Sequence, residues 1–245
     1  MFSRVAALFD IHGNLPALEA VLREVSGVAV DHIVVGGDVL PGPMPRESLD
    51  ALRAVDLPMQ FVQGNGDRES IAPTGAVPEP YRESLRWNAE QLSPDDRQRL
   101  AAWPLTVRVP VRGVGDVLFC HATPRNDTEI FTRLTSEDRL QPIFGVLDAP
   151  LVVCGHTHMQ FDRMVGSVRV VNAGSVGMPF GGSGAYWLLL GPGIELRRTA
   201  YDLEDAAARI RATAYPKAEE FAAANVLQQP SEAQILSAFS QAELK

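Results

Sequence analysis

The sequence has few cysteines and no long apolar run. Two cysteines, Cys120 and Cys154, occur in 245 residues, and both lie in apolar stretches near predicted strand ends. Their small number predicts buried thiols rather than a disulfide framework. No stretch approaches the ~18 consecutive apolar residues of a membrane span, and no signal peptide is evident at the N-terminus. We therefore expect a cytoplasmic protein without a membrane partner.

Positive charge is also scarce. The formal net charge is -8, with 30 acidic residues against 22 lysines and arginines. This balance argues against strong general binding of nucleic acid, because a protein that neutralises phosphates usually carries a basic excess. Any phosphate-bearing substrate would need a local source of positive charge.

Strand-like and helical patterns alternate in the first half of the chain. The apolar runs 4–9, 32–37 and 59–63 predict buried strands. Four helices are predicted between and after these strands, from apolar residues at helical spacing and from helix start signals. They lie at 17–25, 45–55, 82–92 and 94–103. This alternation is typical of an α/β fold.

The second half consists mainly of strand-like runs separated by turns rich in Gly and Pro. These runs lie between residues 105 and 200 and predict a second sheet. Two Ala-rich helical patterns follow, and they predict a helical extension at 202–245 packed on the rest. With no internal repeat and no long linker, we predict a single domain spanning 1–245, with two packed mixed sheets and helices outside.

The five histidines are unevenly placed. His12, His121, His156 and His158 come immediately after predicted strands, in DIHGN, CHATP and GHTH, whereas His32 lies in VDHIVV and is interpreted as structural. One histidine at a strand end is usually a hydrogen-bonded structural residue. Several at such positions predict a shared site, because ligand sites in open α/β sheets form just outside the carboxyl ends of strands.

Oxygen-bearing side chains follow other strands in the same way. Asp10, Asp38 and Asn65 occur in DIH, GGD and GNGD. An aspartate after Gly-Gly is by itself usually a turn former or a helix cap. With the four histidines, however, these residues form a set of carboxylate, amide and imidazole ligands that suits Mn, Fe, Zn or Ni. The set is too large for one tetrahedral ion and predicts two ions that share a carboxylate.

These motifs resemble the ordered signature of the calcineurin-like metallophosphoesterase superfamily, which reads D-x-H, G-D, G-N-H-D/E, H and G-H-x-H. Here the motifs are DIH, GGD, GNGD, CH and GHTH, and the resemblance runs from Ala6 to Val176. DIHGNLPALEAVL and VNAGSVGMP resemble in particular the small bacterial and archaeal stand-alone phosphodiesterases. The resemblance implies a four-layer αββα sandwich, which agrees with the pattern of strands and helices.

The resemblance also implies a role for each matching residue. The implied ligands are Asp10, His12 and His158 for the first metal, Asn65, His121 and His156 for the second, and Asp38 as the bridge. Asp38, Asn65 and His121 would take part in catalysis through two divalent ions, with Mn expected and Fe, Zn or Ni as alternatives. The ions would lower the pKa of a bound water for in-line attack on phosphorus.

Two residues outside the ligand set are predicted substrate contacts. Asn14 lies next to the first metal motif, and its alternative interpretation is a helix cap. Arg125 lies near the CH motif, and Arg68 and Arg133 also lie near motifs where phosphates could bind. For each arginine the alternative interpretation is ordinary surface solvation.

GNGD departs from the family motif at Gly66, where most members have a histidine thought to assist the transition state or the leaving group. Loss of a positioned general acid typically costs ~10² to 10⁴ in rate. We therefore expect hydrolysis of phosphodiester or phosphoanhydride bonds in small nucleotide-like substrates.

Other functions stay open at this point. They are dinucleoside polyphosphate hydrolysis, broad phosphomonoesterase activity and, less favoured, a non-catalytic scaffold resembling the retromer subunit of this fold. The C-terminal helices could serve as a homo-oligomer interface or as a lid over the substrate.

Overall fold

The computed structural model describes residues 1–73 and 79–244. The strands are β1 (Val5–Leu8), β2 (His32–Val35), β3 (Met59–Phe61), β4 (Thr106–Val111), β5 (Gly115–Cys120), β6 (Leu151–Cys154), β7 (Phe161–Val165), β8 (Val168–Asn172), β9 (Ala185–Leu190) and β10 (Ile194–Thr199). The helices are α1 (Leu15–Gly27), α2 (Pro45–Arg53), α3 (Asn65–Ile71), α4 (Glu79–Gln91), α5 (Pro94–Ala101), α6 (Glu137–Phe144), α7 (Leu203–Arg211), α8 (Ala218–Phe221) and α9 (Glu232–Ala242), and a π-helix (Ala222–Leu227) continues α8.

The strands form two mixed five-stranded sheets. The first has the order β10-β9-β1-β2-β3 and the second the order β4-β5-β6-β8-β7. In the first sheet β1, β2 and β3 are parallel, and in the second β5, β6 and β8 are parallel. The predicted pair of mixed sheets is confirmed.

One part of the predicted topology is wrong. The sequence pattern grouped β9 and β10 with the second sheet, but β9 pairs antiparallel with β1 and β10 pairs with β9. The two faces of β9 explain the error. Trp187 and Leu189 pack toward the helices, whereas Leu188 and Leu190 pack toward the second sheet, so β9 is a central strand that is apolar on both faces. Such a run carries no signal for the sheet to which it belongs.

Alternation along the strands builds the four layers. In β1, Ala6 and Leu8 pack in the cluster that contains α1 and α2, and Val5 and Ala7 pack between the two sheets. The outer face of the second sheet is covered by α6, through apolar residues such as Phe144. The predicted αββα sandwich is therefore confirmed, because each sheet buries one face against its partner and the other against helices.

Two helices were missed in the sequence. Helix α3 begins within GNGD and has the short, largely polar sequence NGDRESI. Helix α6 contains Pro142, which normally argues against a helix interior. In neither segment do apolar residues recur at helical spacing over several turns, and both segments are short enough for contacts with neighbouring residues to determine their conformation.

The segment after β10 packs on the rest of the chain through an apolar cluster. Ala206 and Ile210 of α7, Tyr215, and Phe221 of α8 lie in this cluster together with Met44, which precedes α2. None of the described helices is long and apolar enough to cross a membrane.

Both cysteines are buried free thiols, as predicted. Burial raises the pKa of the Cys120 thiol, which favours its protonated form near pH 7.

Candidate metal centre

The predicted ligands follow parallel strands in both sheets, and the structure brings them together. They are Asp10 after β1, Asp38 after β2, Asn65 after β3, His121 after β5, and His156 and His158 after β6, with His12 in the loop between β1 and α1. Within the described residues, two groups of ligand atoms each lie within 4.8 Å of one another. The groups are Asp10, His12 and His158, and Asp38, His121 and His156.

Asp38 lies between the two groups. Its Oδ2 is 3.7 Å from Nε2 of His12, and its Oδ1 is 3.5 Å from Nε2 of His121. On the side of the first group, Nε2 of His158 lies 3.2 Å from Nε2 of His12 and 3.4 Å from Oδ1 of Asp10. One carboxylate thus directs one oxygen toward each group, the arrangement required of a residue that bridges two ions.

Asn65 joins the second group through its side-chain amide. The end of the amide that faces the site lies 3.2 Å from Nε2 of His121 and 3.0 Å from Nδ1 of His156. With its nitrogen inward the amide can donate to both rings. With its oxygen inward it presents a neutral ligand atom beside two ring nitrogens, so the same position serves cation binding.

Main-chain carbonyls orient three of the histidine rings. Nδ1 of His12 lies 3.2 Å from the carbonyl oxygen of Pro41, and Nδ1 of His121 lies 3.0 Å from the carbonyl oxygen of Gly36. In His158, Nδ1 lies 2.7 Å from the carbonyl oxygen of Met178. A ring that donates its Nδ1–H to a carbonyl keeps the lone pair on Nε2, and this outer contact is the usual one for a metal-binding histidine.

The buried carboxylate of Asp10 fits a cation. Its Oδ2 accepts from the main-chain N–H of His156 at 2.8 Å, but its buried Oδ1 has no hydrogen-bond partner. Burial would raise the pKa of Asp10, but the rings of His158 and His121 outweigh burial and hold that pKa below its ordinary value. A buried, charged oxygen with no donor is costly unless a cation compensates it, so the residues present fit a metal ion.

In the second group, burial and the neighbouring histidine rings determine the charge of Asp38 and His156. Burial would raise the pKa of Asp38, but the nearby rings, chiefly that of His121, lower it. Burial and the adjacent His121 lower the pKa of His156 to about 4. Asp38 is therefore anionic and His156 neutral near pH 7, which are the forms that bind metals. Burial would lower the pKa of His121, but Asp38 and Asp10 outweigh burial and raise it to about 10, so a metal ion must displace the proton of that ring.

Most of the candidate ligands have a left-handed backbone. Positive φ angles occur at Asp10 (53°), His12 (48°), Asp38 (51°), His156 (66°) and His158 (58°). This region is uncommon for residues other than glycine, and such conformations cluster at functional sites, where the surrounding structure holds them in place. The sequence carried no sign of this feature, because neither aspartate nor histidine is a residue that requires it.

The Asn65 motif is a helix start rather than a turn. Asn65 is the first residue of α3, and Gly64, its N-cap, has φ -94°. A Cβ at Gly64 would lie 2.2 Å from Oδ1 of Asp38. Glycine is needed here for close approach to Asp38 and not for a left-handed turn.

Asp67 is a supporting residue that sequence reasoning missed. Its buried carboxylate accepts from the main-chain N–H groups of Asp38 (2.8 Å), Leu40 (3.1 Å) and Gly64 (3.1 Å). It thereby ties the loop after β2 to the start of α3. An acidic residue three positions after an N-cap is a known signal for such contacts, and GNGD contains it.

Gly66 has no room for a side chain. A Cβ there would lie 2.3 Å from the carbonyl oxygen of Leu40 and 2.8 Å from Cδ of Pro41. The N–H of Gly66 donates to Oδ1 of Asp38 at 2.7 Å, which holds the backbone in this position. The absence of a histidine at position 66 therefore matches the local backbone, because the loop after β2 fills the space that its side chain would enter.

The structure gives the two predicted substrate contacts other partners. Asn14 is buried and caps α1, because its Oδ1 accepts from the N–H of Ala17 at 3.2 Å. Arg125 pairs with Glu129 through its Nε at 2.9 Å. Asn14 thus has the contacts of the helix-cap alternative, and a substrate contact stays a prediction for both residues.

A cavity of about 430 Å³ opens above the metal centre. Its floor includes His12, Asp38, Asn65 and Gly66. Its walls come from the loop after β2, from α3 and α4, from the loop after β8, and from the segment 215–225. They consist of Pro41, Glu69, Tyr81, Ser84, Leu85, Met178, Phe180, Tyr215, Lys217, Glu220, Phe221, Ala224 and Asn225.

Several known proteins are similar to this chain in sequence or in fold. An uncharacterized protein, MJ0912, of Methanocaldococcus jannaschii is 28% identical over 236 residues, which cover 85% of this chain and 92% of that protein. A metallophosphoesterase from Sphaerobacter thermophilus is 26% identical with a TM-score of 0.73, over 92% of this chain and 100% of that one. A hypothetical protein, PH1004, from Pyrococcus horikoshii is similar in fold, with 21% identity and a TM-score of 0.78 over 93% of this chain and 99% of that one.

The family assignment rests on a match to most of the chain. Residues 4–191 match the model of the calcineurin-like phosphoesterase superfamily domain. This range contains every candidate metal ligand described above, from Asp10 to His158, and the strands that position them. The chain therefore belongs to the calcineurin-like phosphoesterase superfamily.

Proposed function

We propose that this phosphoesterase-family protein hydrolyses small phosphodiesters, including nucleotide-like ones, with two divalent ions. The observation that carries the proposal is the position of Asp38, which directs one carboxylate oxygen to each of two ligand groups. Two bound ions would supply the positive charge that activates water and polarises phosphoryl oxygens.

The ligand assignment follows the two groups. We assign Asp10, His12 and His158 to the first ion, Asn65, His121 and His156 to the second, and Asp38 to both. The donor set of oxygen and imidazole suits Mn, and it also accepts Fe, Zn or Ni.

The protein groups around the ions keep the net charge of the centre positive. Asn65 contributes an amide where another carboxylate would cancel part of that charge. The carbonyls of Pro41 and Gly36 fix the rings of His12 and His121 so that Nε2 of each faces the centre, and a bound ion would displace any proton from these nitrogens. A negatively charged phosphoryl group is then attracted to the floor of the cavity in spite of the acidic surface.

The backbone at Gly66 favours diesters over alkyl monoesters. No side chain can extend from this position to protonate a leaving group, because Leu40 and Pro41 occupy the space. Substrates whose leaving group departs without strong acid assistance are least affected by that loss. Aryl and nucleoside-type diesters belong to this class.

The arginines argue against a polyphosphate substrate. Arginine is the residue most often used for bidentate recognition of phosphate, but no arginine is among the described residues that line the cavity. Arg68, Arg125 and Arg133 instead pair with Asp127, Glu129 and Glu232, respectively. Dinucleoside polyphosphate hydrolysis is therefore less well supported than diester hydrolysis.

The test is a substrate screen of metal-reconstituted protein. Bis(p-nitrophenyl) phosphate, p-nitrophenyl phosphate, a cyclic nucleotide and a diadenosine polyphosphate would be compared under Mn, with Asp38→Asn as the variant and Asp50→Asn, an exposed aspartate on α2, as the matched control. We expect preference for the diester, loss in Asp38→Asn and no change in Asp50→Asn. Preference for the monoester, or a protein that binds no metal and hydrolyses nothing, would contradict the proposal.

A further inference from the structure

The cavity wall formed by residues 215–225 lies outside the family match, which ends at residue 191. This segment includes the π-helix Ala222–Leu227, whose Ala224 and Asn225 face the cavity. π-Helical segments are rare and occur frequently at functional sites. The wall therefore has features that the metal-binding part of the family does not account for.

Lys217 is the charged residue of interest on this wall. Among the described residues that line the cavity it is the only lysine or arginine. Its Nζ lies 3.0 Å from Oε2 of Glu220 and 5.5 Å from the ring centroid of Tyr81. The side chain of Lys217 is 23% exposed, whereas that of Glu220 is 66% exposed. The ammonium group is thus held at the cavity by a solvent-exposed partner, and such an exposed pair is weak enough for an anion to compete with it.

We propose that Lys217 is a substrate-binding residue that contacts the phosphoryl oxygens of a diester and supplies a hydrogen-bond donor from the wall of the cavity. The inference rests on the proposed function, which places a phosphodiester in this cavity. An ammonium group offers three donors and a full positive charge. The backbone leaves no room for a donor side chain at position 66, so a donor from the wall would take its place.

The aromatic residues beside Lys217 indicate what the phosphate carries. Phe180 stacks on the candidate ligand His158, with ring centroids 5.1 Å apart and planes 19° apart. Tyr81 faces Lys217 across the cavity wall, and Phe221 lies nearby on α8. Apolar and aromatic surface thus begins directly beside the metal centre. It fits a ring-bearing group on the ester, such as an aryl group or a nucleoside.

The charge of the wall limits the number of phosphates. Glu69 and Glu220 line the cavity with Lys217, so carboxylates outnumber the ammonium group beyond the metal floor. A diester carries one negative charge, and Lys217 can match it. A longer polyphosphate would place further negative charge near these carboxylates, which is unfavourable.

The experiment compares two changes at Lys217 with a charge removal on the neighbouring helix α7. Arg211 pairs with the exposed Glu219 and does not line the cavity, so Arg211→Gln is the matched control for Lys217→Gln. Hydrolysis of bis(p-nitrophenyl) phosphate would be measured as kcat and KM with Mn-loaded protein. Binding of adenosine 5′-monophosphate would be measured by calorimetry, and metal content and circular dichroism would show that each variant is folded and loaded.

We expect Lys217→Gln to lower kcat/KM and the affinity for adenosine 5′-monophosphate by ~10- to 100-fold, since a hydrogen bond to a charged group is lost. Lys217→Arg should recover part of both, and Arg211→Gln should change neither. Equal behaviour of Lys217→Gln and Arg211→Gln in both measurements would overturn the proposal.

The two proposals fail in distinguishable ways. If wild-type protein binds adenosine 5′-monophosphate but hydrolyses no diester, and Lys217→Gln weakens that binding, the role of Lys217 stands and the proposed activity is wrong. If wild-type protein hydrolyses the diester and Lys217→Gln is unaffected in rate and binding, the activity stands and the role of Lys217 is wrong. Absence of adenosine 5′-monophosphate binding by loaded wild-type protein also overturns the role.

Discussion

The floor and the wall of the cavity are built in different ways. The floor includes residues near strand ends such as His12 and Asp38, which are buried, have left-handed backbones and lie within the family match. The wall consists of helical and loop side chains, among them Tyr81, which is 60% exposed, and Lys217, which lies outside that match. Main-chain geometry therefore positions the candidate metal ligands, whereas the proposed substrate contacts come from side chains that can be replaced one at a time.

Removing metal should have the largest effect, because the floor keeps two carboxylates buried beside one another. We expect a strong chelator to abolish phosphoesterase activity. We also expect it to lower the free energy of unfolding by about 5 kcal/mol, relative to protein in a free metal concentration of 100 times the Kd of each site. Metal analysis, activity and thermal unfolding of the same samples would test this.

Readdition of Mn is the control for chelation, and it should restore both activity and thermal stability. Two equivalents of metal per chain should be needed. Unchanged unfolding after complete metal removal would mean that the floor is stable without cations, and the contrast between floor and wall would then fail.

Asp67→Ala should have the next largest effect. The change leaves the main-chain N–H groups of Asp38, Leu40 and Gly64 without their acceptor. Each unsatisfied buried group costs ~1–3 kcal/mol, so we expect a loss of about 3 kcal/mol or more in urea unfolding, together with weaker metal binding. Asp50→Ala, at an exposed aspartate, is the control and should be nearly neutral.

Gly66→Ala tests whether the absent side chain is excluded by the backbone. Its Cβ would meet Leu40 O at 2.3 Å, whereas a Cβ at Gly27, also in a helix, would meet nothing within 4 Å. We expect Gly66→Ala to destabilise the fold by about 1–3 kcal/mol and Gly27→Ala to be neutral or stabilising. Gly66→His should likewise fail to increase monoesterase activity. A stable Gly66→His variant with increased activity on monoesters would show that the loop moves aside.

The fold was largely predictable because its signals are local. Alternating strands, glycines at strand ends and the helix start at Asn14 are visible in the sequence, and so are the metal-competent side chains after each strand. The sheet membership of β9 was not, since Trp187 and Leu188 make it apolar on both faces. Pairing of such a strand depends on distant partners.

The residue types of the site were predictable from the chain itself, whereas the place of Asp38 between two ligand groups was expected only from the family resemblance. Neither source predicted that Leu40 blocks position 66. That contact is a distance between segments far apart in the chain. The wall was missed for a related reason: Lys217 lies in a helical segment with no motif, and only the packing of α7 and α8 brings it to the cavity.

Tyr81→Ala should have the smallest effect and provides the sharpest test of the wall. The ring is exposed, so its loss should leave metal content unchanged and lower the free energy of unfolding by no more than the ~0.5–1 kcal/mol of its cation–π contact with Lys217. Because the ring no longer holds the ammonium group of Lys217 at the cavity, we expect KM for bis(p-nitrophenyl) phosphate to rise about 2- to 5-fold with little change in kcat. Val146→Ala, an exposed apolar residue that does not line the cavity, is the matched control. A fall in kcat or in bound metal for Tyr81→Ala would mean that wall and floor are coupled, because a residue that only selects substrate cannot change the metal centre.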